Sequence, residues 1–191
     1  DYIFCSGTWY QVEKSFFEMV NNYIKTRIQT SNISLPDCPY GMYEGEYNEK
    51  VSSENNDFCL MDKKLTSVLS GPKQIEPCDI FTKDKKFIHV KNKGQSSQLS
   101  HLFAQGKISA ECFSSDEAFR KNVKLGNEVF DYKQKPASNE YEVVYAIIDD
   151  KISDLENKLP FFSKVNLMLT SQELERMHFK CSVCLVTKDK I

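Results

Sequence analysis

The stretch that decides the fold is Glu76-Pro-Cys-Asp-Ile-Phe-Thr-Lys-Asp-Lys-Lys-Phe-Ile-His-Val-Lys91. Apolar residues on both sides of a short lysine-rich segment indicate two strands joined by a tight turn. If residues 83–85 form a three-residue hairpin loop, Asp79 falls directly opposite His89 on the same face. A loop one residue shorter or longer would separate the two, since a slip of one residue moves side chains to the other face.

The second strand of this hairpin carries a His-x-Lys pattern. His89 and Lys91 share one face, whereas Ile88 and Val90 share the other, because residues two apart in a strand point the same way. The pattern therefore predicts one polar face and one core face. An acid at Asp79, followed by His-x-Lys on the next strand, is typical of enzymes that cleave phosphodiesters.

The predicted catalytic residues are Asp79, His89 and Lys91. In this hypothesis Asp79 and His89 hold a divalent cation, while Lys91 orients the attacking water and offsets charge on the scissile phosphate. Imidazole favours Mn²⁺ over Mg²⁺, and Glu46 is a candidate for a further ligand. Glu76 is expected to point to the opposite face of a regular strand unless a bulge intervenes.

A polar stripe follows the hairpin in sequence. Ser97, His101 and Gln105 lie at i, i+4 and i+8 of a helical pattern, and together with Lys93 they are the predicted substrate-binding residues. Gly106 is predicted to end that helix. Lysine clusters at 63–64, 83–86 and 91–93 are expected around the site.

Patterns elsewhere in the chain predict the remaining elements. They are a helix over Trp9–Arg27, an acidic helix from Tyr43, a strand from Phe58, a connection at Gly71-Pro72, a helix after Ser114-Ser-Asp116, a strand over Glu142–Ile148, a capping box at Thr170 to Glu173 ahead of a short helix, and a final cysteine-containing strand. The resulting order of helices and strands predicts an α/β (α+β) fold with a mixed central sheet flanked by helices.

The composition limits the class of protein. The chain has 191 residues, of which 40% are hydrophobic, so a single domain spanning residues 1–191 is expected. A net charge of −2 gives no whole-surface attraction for nucleic acid. No stretch approaches the roughly 18 to 20 apolar residues of a membrane span. Because the chain begins at Asp1 in dense apolar sequence, we expect it to be part of a longer protein.

The seven cysteines are scattered and odd in number, which favours a reducing cytoplasmic setting without disulfides. Cys181 and Cys184 have a zinc-like spacing, with His178 nearby, but a structural zinc site needs four ligands. A buried strand containing small apolar cysteines is the preferred interpretation.

Five segments together carry a resemblance: Asp62-Lys-Lys, Ile75-Glu-Pro-Cys-Asp79, Ile88-His-Val-Lys91, Ser96-Ser-Gln-Leu-Ser-His-Leu-Phe-Ala-Gln-Gly106 and Leu159-Pro-Phe-Phe-Ser-Lys164. They resemble a sporadically distributed, uncharacterised bacterial protein family associated with mobile defence systems. More distantly, the element order with Asp79 and a downstream lysine is similar to the PD-(D/E)xK nucleases. That similarity implies a restriction-endonuclease-like core and a divalent metal, Mn²⁺ or Mg²⁺. The chain departs from the nuclease pattern at His89, where an acid is expected.

Three functions remain open from the sequence. The first is a metal-dependent nuclease in anti-phage defence, with DNA or RNA as partner and a homo-oligomer or other defence subunits as further partners. The second is a catalytically inactive module that binds nucleic acid or assembles a defence protein. The third is a phospholipase-D-like phosphodiesterase that uses His89 as nucleophile without metal.

Overall fold

The computed structural model describes residues 2–5, 7–62, 66–68, 71–93, 96–123, 130–150 and 154–190. The strands are β1 (Tyr2–Cys5), β2 (Thr8–Gln11), β3 (Gln29–Thr30), β4 (Phe58–Leu60), β5 (Thr66–Val68), β6 (Gly71–Ile75), β7 (Ile80–Thr82), β8 (Lys86–Asn92), β9 (Glu142–Asp149) and β10 (Lys180–Thr187). The helices are α1 (Lys14–Arg27), α2 (Glu44–Glu54), α3 (Ser96–Ser115), α4 (Glu117–Val123), α5 (Leu155–Lys158) and α6 (Phe161–Arg176). Within the described ranges, no helix combines the length and hydropathy needed to cross a membrane.

Six strands form a central mixed sheet in the order β3-β10-β9-β8-β7-β4. Strands β3, β10, β9 and β8 are parallel, while β7 is antiparallel to β8 and β4 is antiparallel to β7. The predicted α/β class with a mixed sheet flanked by helices is confirmed. We call the edge where β4, β8, β9 and β10 end and β7 begins the carboxyl edge.

The central strands are buried on both faces. Phe87 packs with Tyr145 in a core formed with α3, α4 and α6. Ile88 and Val90 pack on the opposite face in a second core that includes Tyr47 of α2. The expectation of a polar face on β8 is therefore wrong, because parallel strands at the centre of a sheet are covered by helices on both sides.

The hairpin between β7 and β8 has the three-residue loop on which the site hypothesis depends. Its loop is residues 83–85, and the observed pairs Ile80 with Ile88 and Phe81 with Phe87 extend by one residue to set Asp79 opposite His89. Lys85 has a φ of 65°, and its N–H donates to the Thr82 carbonyl at 3.0 Å. This is the left-handed residue that closes a three-residue hairpin.

Several predicted boundaries need correction. Trp9 lies in β2, and the first helix begins only at Lys14; Gly71 and Pro72 belong to β6. Thr170 lies inside α6, because the apolar period that starts at Phe161 continues through it. The predicted cap at Asp116 is confirmed, since its Oδ1 accepts from the Phe119 N–H at 3.0 Å.

The prediction that Gly106 ends a helix is wrong, because Gly106 lies inside α3. The helix passes so close to β9 that a Cβ at Gly106 would lie 2.6 Å from the Tyr145 ring and 2.8 Å from Val143 Cγ1. The Tyr145 hydroxyl donates to the Phe103 carbonyl of the same helix at 2.9 Å. The glycine is thus required by close packing between helix and sheet, and not by a turn.

Gly106→Ala is expected to lower the free energy of unfolding by about 1–3 kcal/mol, because the new methyl group overlaps the ring of Tyr145. Helix propensity alone predicts the opposite sign, a gain of about 1 kcal/mol. Urea denaturation separates the two, with the exposed Gln98→Ala on the same helix as the control. A Gly106→Ala protein as stable as the wild type would contradict the packing.

Candidate functional site at the carboxyl edge

Three carboxylates meet at the carboxyl edge. Asp62 follows β4, and Glu76 and Asp79 precede β7; one potential ligand atom from each lies within 4.8 Å of the other two. All three side chains are partly buried. Among the residues that the structure describes, this is the set of histidine, cysteine and acidic side chains with a geometry that could hold a metal ion.

Backbone hydrogen bonds fix Asp79 and Asp62 side by side. The Asp79 carbonyl accepts from the N–H groups of Met61 at 2.8 Å and Asp62 at 3.0 Å. The Asp79 N–H donates to the Ile88 carbonyl at 3.0 Å, and its Oδ2 accepts from the Val90 N–H at 2.6 Å. The Asp79 carboxylate therefore accepts the next hydrogen bond of the β7–β8 ladder in place of a backbone carbonyl, and this bond restricts rotation of the side chain.

Glu76 joins the cluster because the chain between β6 and β7 is not a regular strand. Residues 76–78 have no strand pairing, so the alternation that predicted an opposite direction for Glu76 does not apply. The Glu76 carbonyl accepts from the Ser109 hydroxyl at 3.3 Å, which ties this segment to α3. The sequence left this possibility open as a bulge.

The electrostatics of the cluster favour a proton or a cation. The pKa of Asp79 is raised to about 7; burial is the largest cause, the nearby carboxylates of Glu76, Asp62 and Glu44 also raise it, and the Val90 N–H opposes the shift. Negative groups held together away from water are unfavourable unless neutralised. A divalent cation would supply that neutralisation.

Lys91 lies near the end of β8 at the carboxyl edge and pairs with a glutamate of α2. Its Nζ is 3.0 Å from Glu44 Oε2, and the two side chains are 31% and 30% exposed. The first turn of α2 thus brings Glu44 to Lys91 at the end of β8. Glu44, and not the predicted Glu46, is the α2 acid that acts on Asp79.

The structure places two predicted metal ligands outside the cluster. Glu46 caps α2, since its Oε2 accepts from the Tyr43 N–H at 2.9 Å. His89 is only 3% exposed and packs beside Tyr145, with no hydrogen-bond partner for Nε2 in the described part of the chain. Burial lowers its pKa to about 3, so the imidazole is neutral at pH 7. A buried imidazole also has no access to a phosphate as nucleophile.

The predicted substrate-binding residues divide into two groups. Ser97 lies in the first turn of α3, close in sequence to the end of β8, and His101 follows one turn later; both are exposed, whereas Gln105 is half-buried. Because the three residues span two helical turns, roughly 12 Å, they extend away from Ser97 along α3. Lys93 is exposed and pairs with Asp149 at 2.8 Å.

The lysines of the hairpin loop are not near the cluster. The turn between β7 and β8 is roughly 10 Å along the strand from Asp79, and Lys83, Lys85 and Lys86 lie in it or directly after it. Each pairs with an acid; the partners are Asp57, Glu140 and Glu142. The expectation that this cluster surrounds the site is wrong because the hairpin turn and the carboxyl edge are opposite ends of the same strands. Lys63 and Lys64 lie outside the described residues.

The cysteine pair belongs to the core. Cys181 packs against the core on the α3 and α6 face, and Cys184 belongs to the core on the α2 face. Burial raises the pKa of Cys181 to about 12 and that of Cys184 to about 11, so both are neutral thiols. Residues three apart in a strand point to opposite faces, which explains why the spacing does not form a zinc site here.

Comparison with known proteins gives one match. Residues 1–187 match the sequence pattern of DUF6119, a family of unknown function. No curated protein and no solved structure matches the chain.

Proposed function

The chain belongs to DUF6119, a family of unknown function, and we propose that it is a metal-dependent nuclease that cleaves nucleic-acid phosphodiesters. One observation carries the proposal: Asp62, Glu76 and Asp79 converge at the carboxyl edge, where Lys91 reaches the same edge from β8. In open α/β sheets, ligands bind outside the carboxyl ends of the strands. A metal site beside a lysine at that edge suits phosphodiester cleavage.

The donor set fits a hard cation. Three carboxylates offer only oxygen ligands, which Mg²⁺ and Mn²⁺ prefer, and a cation there would offset the burial and the repulsion between carboxylates that raise the pKa of Asp79. Asp62, Glu76 and Asp79 would hold the ion. When bound, it would supply Lewis-acid polarisation of a phosphate oxygen.

The protein side chains supply positioning and charge. The Val90 N–H fixes the direction of the Asp79 carboxylate, so the ligand geometry is set before an ion binds. Glu44 holds the Lys91 ammonium at the edge, where it can donate to a non-bridging phosphate oxygen and orient the attacking water. Glu44 is therefore a positioning residue in this proposal.

The proposed biological setting follows the sequence resemblance. We place the nuclease in the bacterial cytoplasm as part of anti-phage defence, acting on DNA or RNA, as a homo-oligomer or with other subunits of a defence system. The cysteine content without predicted disulfides supports the cytoplasmic part of this proposal.

The test is cleavage of circular, linear and single-stranded nucleic acids by the purified protein with Mn²⁺, Mg²⁺ or a chelator. We expect cleavage that requires the metal. Nucleic-acid binding without cleavage would favour the inactive binding module. Metal-independent cleavage that is lost in His89→Ala would favour the phospholipase-D-like alternative.

Lys91→Ala is expected to lower the cleavage rate by about 100-fold or more, because a cation that offsets phosphate charge in the transition state is removed. The fold should persist, since a partly exposed ion pair contributes at most about 1 kcal/mol to stability. Initial rates and circular dichroism check both statements. Lys83→Ala, which removes the exposed pair with Asp57, is the control, and a Lys91→Ala enzyme as active as this control would exclude the role.

A further inference from the structure

The carboxyl edge has a cavity in addition to the carboxylate cluster. Its volume is about 510 Å³, within the range of small-molecule sites. The ends of β8 and β9 and the segment after β10 line it together with Tyr40. Asn92, a lining residue, is the last residue of β8 and Lys91 precedes it, so the cavity and the proposed nuclease site lie at the end of the same strand.

Tyr40 is an aromatic side chain on a fixed backbone. It is 61% exposed. The loop before it is hydrogen-bonded to the end of β10: the Cys38 N–H donates to the Thr187 carbonyl at 2.7 Å, and the Asp189 N–H donates to the Cys38 carbonyl at 2.9 Å. An exposed ring on an anchored loop is a platform for stacking a base, and stacking accepts any base that is not paired.

The charges of the cavity suit contact with one or two phosphates and not with the many phosphates of a duplex. Three lysines and three aspartates line it: Lys93, Lys188, Lys190, Asp149, Asp150 and Asp189. Asp149 is buried and pairs with Lys93, whereas Lys188 and Lys190 lie in the segment after β10. Duplex binding depends on neutralising many phosphates, and this lining has no excess of positive charge for that.

We propose that this cavity binds one unpaired nucleotide next to the scissile phosphate, with its base on Tyr40 and its phosphate on Lys188 or Lys190. The substrate class is therefore single-stranded nucleic acid. This inference rests on the proposed nuclease function for the identity of the neighbouring site.

The experiment is fluorescence anisotropy with a labelled 12-nucleotide single strand and its duplex, in chelator so that no cleavage occurs. We expect tighter binding of the single strand, a loss of about 10-fold in affinity for Tyr40→Ala, and near wild-type affinity for Tyr40→Phe. Tyr2→Ala, which removes an equally exposed tyrosine from the N-terminal ribbon of β1 and β2, should bind like the wild type.

Equal affinity for single strand and duplex, or an unchanged affinity in Tyr40→Ala, would overturn the inference, as would an absence of binding. A parallel cleavage assay separates this failure from failure of the nuclease proposal. Cleavage with unchanged binding in Tyr40→Ala leaves the nuclease and removes the cavity's role. Tyr40-dependent binding without any cleavage leaves the cavity and removes the nuclease.

Discussion

Asp79→Asn is expected to abolish metal-dependent cleavage, with a loss of about 1,000-fold or more, because a charged ligand at the centre of the carboxylate cluster becomes a neutral amide. The amide oxygen can still accept the hydrogen bond that the Val90 N–H donates to Asp79, so the β7–β8 ladder should remain intact. Initial rates of cleavage at saturating Mn²⁺ measure the loss.

The control for this variant is Asp37→Asn, which removes the same charge from an exposed loop position. It should cleave at the wild-type rate. If Asp79→Asn also retained the wild-type rate while its far-ultraviolet circular dichroism matched that of the wild type, Asp79 would not be a metal ligand, and the site would lie elsewhere.

The same substitution has a second large expected effect, on the pH dependence of stability. In the metal-free protein burial raises the pKa of Asp79 from 3.8 to about 7. A group whose pKa is raised on folding contributes stability that is complete below the unfolded value and is lost as the pH rises through the folded value. Asp79 therefore destabilises the metal-free protein progressively between about pH 4 and pH 7, by up to about 4 kcal/mol.

His89 acts in the opposite direction over nearly the same range. Burial lowers its pKa from 6.5 to about 3, so its contribution is complete above the unfolded value and is lost as the pH falls through the folded value. Between about pH 4 and pH 6.5 the two contributions have opposite slopes and nearly cancel in the wild type. A substitution that removes one contribution leaves the other as a measurable pH dependence of stability.

Asp79→Asn is thus expected to be more stable than the wild type at pH 8 in chelator, by up to about 4 kcal/mol, because the amide has no charge to desolvate. Its advantage should disappear near pH 4, since the Asp79 carboxyl of the folded wild type is then protonated and has no charge to desolvate. Urea denaturation from pH 4 to pH 9 measures both features. A variant less stable than the wild type at pH 8 would show that the Asp79 carboxylate is stabilised in its charged form.

The hairpin and the class of fold could be predicted from local sequence. The apolar residues on both sides of the lysine-rich turn indicate the hairpin, and the strands over Phe58–Leu60 and Glu142–Asp149 have the composition of buried strands. The length of the turn, and with it the register, comes from the structure. Gly106 could not be interpreted correctly, because the reason for a glycine there is the ring of Tyr145, about 40 residues away. Tertiary packing requires a glycine at residue 106, and the local sequence does not distinguish such a glycine from one that ends a helix.

The candidate site was predicted in part. Asp79 and Lys91 emerge from the order of strand, turn and strand, and Asp62 could have been added because it lies two residues after β4, which ends at the same edge. His89 was assigned to a polar face because the helices covering both sides of β8 are not visible in its sequence. Glu44 was missed in favour of Glu46, because which helical acid faces the sheet depends on the rotation of α2 and not on its composition.

Calorimetric titration of the metal-free protein with Mn²⁺ at pH 6.5, in two buffers of different ionisation enthalpy, tests the carboxylate site most directly. We expect binding of Mn²⁺ with release of a substantial fraction of one proton, because Asp79, with its pKa raised to about 7, is largely protonated before the ion binds. The release should vanish at pH 8.5 and in Asp79→Asn. Absence of binding, or binding at pH 6.5 without proton release, would contradict the account.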